Sequence, residues 1–145
     1  MNAMNSATYS FVKVIELPSV LASHILYVSD EYEIACHLCA CGCGCKVYTP
    51  LGKAEWQFLA TDGGLPSLRP SIGNWTLPCR SHYWLRQGRI SWASDWSDDQ
   101  VKVGRAYETE QRRILHASEN VPKLKPPTIW QSFANWFAVF LSKFK

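Results

Sequence analysis

Short apolar runs, broken by proline, glycine and aspartate, fill the first two thirds of the chain. Phe11, Ile15 and the run Ile25-Leu-Tyr-Val28 are strand formers, and Pro18-Ser19 marks a turn that makes them an N-terminal hairpin. Ser29 to Ala35 reads as a strand or a single helical turn. Lys46-Val-Tyr-Thr alternates and stops at Pro50, and Glu55 to Ala60 forms another short strand before the turn signal Asp62-Gly-Gly. Leu65 to Ile72 holds two prolines, which assigns it to an edge or a loop. Ser81 to Arg86 and Arg89 to Ala93 flank Gln87-Gly88 and predict a hairpin.

The period changes at Ser97. Ser97-Asp-Asp reads as an N-cap with an acidic first turn, opening a surface helix over about 98–117. Residues 120–128 read as a stiff Pro/Lys linker. Residues 129–145 place Trp130, Phe133, Phe137, Phe140 and Phe144 at three- and four-residue spacing, an amphipathic aromatic helix. That helix is expected to pack back on the domain, with a partner contact or a membrane-surface contact as alternatives. The expected fold is α+β: a small, mainly-β, zinc-stabilised domain of short antiparallel strands over 1–119, with C-terminal helices.

A chain of 145 residues suits one domain. No stretch approaches the roughly 20 apolar residues of a membrane span, and the first residues do not read as a secretory signal, so a cytoplasmic location is expected. Charge narrows the partners. Through Glu119 the chain carries 11 basic and 12 acidic residues, and the net +3 comes from the four lysines beyond it. A near-neutral body is not expected to bind nucleic acid, despite Arg69, Arg80, Arg86 and Arg89 beside aromatics. Of the aromatics Trp75, Tyr83, Trp84 and Trp92, at least half are expected in the core and the rest on a partner surface.

Five of the six cysteines fall within ten residues: Cys36, Cys39, Cys41, Cys43 and Cys45, with Cys79 standing apart. Thiols this dense read as metal ligands rather than disulfides. Gly42 and Gly44 permit the tight backbone of a knuckle, and Cys79-Arg-Ser-His82 has the gap that lets both side chains converge on one ion. The candidate ligands are Cys39, Cys41, Cys43, Cys79 and His82. Four thiolates are one ligand set; His82 or His37 replacing a thiolate gives another. Zinc (Zn2+) is the expected ion, with an iron–sulfur centre as the rival. Cys36 and Cys45 are read as spare thiols.

The stretches from Tyr27 to Leu51 (with Ala35-Cys-His-Leu-Cys-Ala-Cys-Gly-Cys-Gly) and Pro70-Ser-Ile-Gly-Asn-Trp … Pro78-Cys-Arg-Ser-His-Tyr-Trp resemble a bacterial family of small zinc-binding proteins. The family is classed as a domain of unknown function. The resemblance covers about Tyr27 to Ala93. It implies zinc, and it implies a link to operons that encode ubiquitin-like modifiers with their E1-like and E2-like enzymes.

Two functions follow as expectations. The first is a zinc-binding accessory or adaptor protein contacting the ubiquitin-like modifier or its E1/E2-like enzymes. The second is a zinc-dependent hydrolase or peptidase that processes the modifier, with Glu33 and His37 as catalytic groups beside an open metal position. No His-Glu-x-x-His is present to support a known metalloprotease pattern.

Overall fold

The computed structural model describes residues 8–61 and 63–120. Eight short strands form two four-stranded sheets. The first sheet is β1 (Ser10–Lys13), β2 (Ile25–Ser29), β3 (Ile34–Leu38) and β4 (Lys46–Pro50), in that order. The second is β5 (Gln57–Ala60), β6 (Pro66–Gly73), β7 (His82–Arg86) and β8 (Arg89–Trp92), also in sequence order. Among the described residues one helix, α1 (Asp98–Glu119), follows. This is the mainly-β α+β architecture expected from the pattern of short runs. The linker at 120–128 lies outside the described residues but for Asn120, the C-cap of α1, and the aromatic segment at 129–145 lies wholly outside them. Among the described residues no helix is long and apolar enough to cross a membrane.

The two sheets share one core. Leu26 and Val28 of β2, Ala35 of β3 and Val47 of β4 meet Leu68 and Ile72 of β6 and Tyr83 and Leu85 of β7. Leu26 and Val28, and likewise Tyr83 and Leu85, are two apart and so share one face of their strand. Burying these side chains against each other is the main stabilisation, at about 25 cal/mol per Å² of apolar surface removed from water. Of the aromatics weighed above, Tyr83 is fully buried, Trp75 and Trp84 are half-buried, and Trp92 is exposed.

Two local expectations are corrected. β1 and β2 run parallel, Ser10 beside Ile25 and Lys13 beside Val28, so they are not a hairpin. The connection between them is longer than a hairpin turn and lets the chain return to run the same way. β6 is not an edge or a loop but an inner strand, paired with β5 on one side and β7 on the other. Its prolines are tolerated because Pro66 begins the strand, and Pro70 falls where the pairing register shifts between Leu68 and Ile72. Ser71 lies within that irregularity.

α1 is joined to the body at a few points. Ser97 caps it, its hydroxyl accepting from the Gln100 N–H at 3.3 Å while the Gln100 side chain accepts from the Ser97 N–H at 2.9 Å. Among its residues only Val101 is buried. Arg112 donates through Nε and Nη2 to both carboxylate oxygens of Glu55, and Arg80 reaches Asp98 at 2.8 Å.

Candidate metal centre and serine–histidine cleft

The chain leaves β3 at Leu38 and turns back into β4 at Lys46, with Cys39, Cys41 and Cys43 in the turn. Gly42 and Gly44 have φ of +83° and +79°, the left-handed conformation that a side chain resists. The Cys39 N–H donates to the Cys45 carbonyl at 2.8 Å, closing the knuckle. Cys79 arrives from the other sheet, in the loop between β6 and β7. The Sγ atoms of Cys39, Cys41, Cys43 and Cys79 all lie within 4.8 Å of one another. Cys39 stands 3.4 Å from Cys41 and 3.8 Å from Cys79, sulfur to sulfur. A tetrahedron of thiolates about 2.3 Å from one zinc ion has edges of about 3.8 Å. The four sulfurs fit a single metal ion.

The four thiols do not share one acidity. The Cys45 backbone N–H and the Cys41 side chain pull the Cys43 thiol down to about 6. Burial pushes Cys41 up to about 12, and burial also raises Cys39. Four thiolates packed this closely repel, so full ionisation needs a cation among them. Around Cys39 the protein supplies polar contacts: Ser81 Oγ at 3.1 Å and Asn74 Nδ2 at 3.7 Å. Asn74 Nδ2 also donates to Ser81 Oγ at 2.8 Å, and the Asn74 N–H to the Ser81 carbonyl at 2.9 Å. Such contacts orient thiolates around a metal.

His82, read from the sequence as a ligand, is not brought into this group. Its two ring nitrogens are engaged elsewhere. Nδ1 lies 2.9 Å from the carbonyl oxygen of Ser94, and Nε2 lies 2.9 Å from Ser71 Oγ. A carbonyl only accepts, so Nδ1 carries the proton. In the neutral ring Nε2 is then the acceptor for the Ser71 hydroxyl. This tautomer is the one a general base needs when it sits beside a serine nucleophile.

The pair opens onto a cleft of 190 Å³ between the end of the second sheet and α1. Trp56, Trp75 and Trp96 give it apolar walls, and Arg105 and Glu108 reach it from α1. Trp56 Nε1 donates to the Ser71 carbonyl at 3.3 Å, fixing the backbone that carries the hydroxyl. Trp75 and Trp96 stack with centroids 5.7 Å apart and both meet the His82 ring edge-on.

Glu33 and His37 stand apart from both arrangements. Glu33 is exposed in the turn before β3, at φ 47°, six residues and therefore about 20 Å of strand from Cys39. His37 is completely buried, and burial pushes its imidazole down to about 4. Its Nε2 lies 2.8 Å from the Tyr83 hydroxyl, while Nδ1 has no partner among the described residues. Sequence reasoning passed over Ser71. The Ser in Pro70-Ser-Ile-Gly carries no Gly-x-Ser-x-Gly signature, and the Cys-x-x-His spacing drew His82 to the metal instead.

Comparison with curated proteins and with solved structures found no match. Comparison with protein families matched residues 13–93, more than half of the chain, to the family described as bacterial ubiquitination-like system serine protease, or BubE. The match contains the cysteine knuckle, Ser71, Cys79 and His82. It bears out the link to bacterial ubiquitin-like conjugation that the sequence resemblance implied: the chain belongs to the BubE family.

Proposed function

We propose that this protein is a serine peptidase of the bacterial cytoplasm that cleaves acyl bonds of a ubiquitin-like modifier, with Ser71 as nucleophile and His82 as general base. The observation that carries the reading is the 2.9 Å contact from Ser71 Oγ to His82 Nε2, with Nδ1 held by the Ser94 carbonyl. The family description points to the same chemistry.

In this reading Ser71 Oγ attacks the scissile carbonyl while His82 Nε2 takes its proton. The imidazolium formed keeps its Nδ1–H on the Ser94 carbonyl, and the proton then passes to the leaving amine. Water, activated by the same histidine, hydrolyses the acyl-serine. A carbonyl in the orienting position holds the correct tautomer but brings no negative charge. It therefore stabilises the imidazolium less than a carboxylate does.

The four cysteines would hold zinc as a structural ion. A four-thiolate site is closed, and thiolates make the metal a poor Lewis acid. When bound, the ion supplies a crosslink between the knuckle of the first sheet and the loop of residues 74–81. That loop connects Ser71 to His82. Zinc thus supports the catalytic pair without joining the reaction, and Glu33 and His37 take no part in it. An adaptor role alone leaves the serine–histidine contact without a purpose.

Cleavage of a ubiquitin-like modifier from a bacterial conjugation system, bearing a C-terminal peptide extension, tests the proposal. The chain is expected to release the extension, and Ser71→Ala to abolish release while folding and binding metal normally. Release by Ser71→Ala at the wild-type rate would overturn it.

A further inference from the structure

His82 is held by more than its two hydrogen bonds. The imidazole meets Trp75 with centroids 4.9 Å apart at 61°, and Trp96 with centroids 5.3 Å apart at 75°. The two indoles stack on each other with only 16° between their planes. Each indole depends on a glycine. A Cβ at Gly73 would run into the Trp75 Nε1, and a Cβ at Gly104 would lie 2.7 Å from Cζ3 of Trp96. Trp96 is thus seated directly on the backbone of α1.

The segment that carries Trp96 also carries Ser94, whose carbonyl holds His82 Nδ1. One residue beyond Trp96, Ser97 caps α1, and Asp98 is tied to Arg80. The far half of α1 is tied down by the Arg112–Glu55 pair. Where α1 lies therefore decides where Trp96 and the Ser94 carbonyl lie, and these bound the imidazole on its side and at Nδ1.

We propose that Trp96, seated on Gly104, is a positioning residue for His82, so that the docking of α1 sets the reactivity of Ser71. An imidazole without that wall swings about its side-chain torsions. A displacement of about 1 Å at Nε2 breaks the hydrogen bond to Ser71, and misplacements of that size cost about 100-fold in rate. The rate consequence rests on the serine-peptidase reading; the ring geometry does not.

The test compares the full chain with Gly104→Ala, Trp96→Phe and, as a control on the same helix, the exposed Val103→Ala. Three quantities are read: the rate at which a fluorophosphonate labels Ser71, the ¹⁵N resonances of the His82 ring, and metal content with melting temperature. Gly104→Ala is expected to slow labelling about 10- to 100-fold and to displace the ring resonances, with metal content unchanged. Trp96→Phe, which removes part of the wall without adding bulk, shifts both readouts in the same direction. Val103→Ala moves neither. Unchanged labelling and unchanged ring resonances in both Gly104→Ala and Trp96→Phe overturn the proposal. A wild-type chain that is never labelled contradicts the peptidase reading alone, because the His82 resonances still decide the positioning role.

Discussion

Ser71 and His82 touch across neighbouring strands, Oγ to Nε2 at 2.9 Å, although they stand eleven positions apart in the chain. Between them lies a loop whose Cys79 reaches the knuckle of the opposite sheet and whose Asn74 and Ser81 bond to each other and to Cys39. One loop, flanked by Ser71 and His82, therefore carries a ligand of the cysteine centre.

The ligand set has a direct spectroscopic consequence. X-ray absorption at the zinc edge of the purified protein should show four sulfur neighbours at about 2.3 Å and no nitrogen shell. His82→Ala should leave that spectrum unchanged. A nitrogen neighbour lost in His82→Ala would restore His82 as a ligand.

Breaking the centre should reach the cleft. Cys79→Ser is expected to lose bound zinc and lower the melting temperature by more than about 10 °C, since structural zinc contributes several kcal/mol to small domains. Ser71 should label slowly even well below that temperature. Full labelling with no metal bound would show that the loop holds its shape unaided.

The parts of this arrangement were unequally legible in the sequence. The knuckle declares itself, because five cysteines with interleaved glycines have few other uses. The Ser97 cap and the Gln87-Gly88 turn are local chemistry and could be read locally. Ser71 could not. Its role depends on a register shift in β6 that points its hydroxyl at a strand eleven residues on, and on a carbonyl from Ser94 that fixes a histidine tautomer. The Pro-rich stretch that carries Ser71 reads as a loop because proline costs ladder hydrogen bonds, yet within the irregularity it occupies the Ser71 hydroxyl meets His82. The same limit applies to β1, whose parallel pairing is set by sheet packing rather than by its own four residues.

His37 and Glu33 supply a contrast. Glu33→Ala should change neither zinc content nor Ser71 labelling. His37→Phe removes the partner of a buried tyrosine hydroxyl, Tyr83, and should cost about 1–3 kcal/mol in urea unfolding. Labelling of the folded protein should persist. A labelling rate that collapses in Glu33→Ala would return that carboxylate to the chemistry.

The Arg112–Glu55 pair is half-buried and bidentate, with side-chain exposures of 37% and 23%. Partial solvent screening limits its stabilisation to about 1 kcal/mol. Glu55→Gln should therefore lower global stability by about that much, measured by urea unfolding of the two single variants and the double variant. Zero coupling between Glu55→Gln and Arg112→Gln would show that the pair does not anchor α1.

Activation of Ser71 by His82 has a direct chemical readout. Intact-protein mass spectrometry after fluorophosphonate treatment, followed by peptide mapping, tests it most directly. One adduct per chain is expected, located on Ser71, absent in Ser71→Ala and slowed about 1,000-fold or more in His82→Gln. An adduct on any other residue, or labelling of Ser71 that proceeds unchanged in His82→Gln, would contradict it.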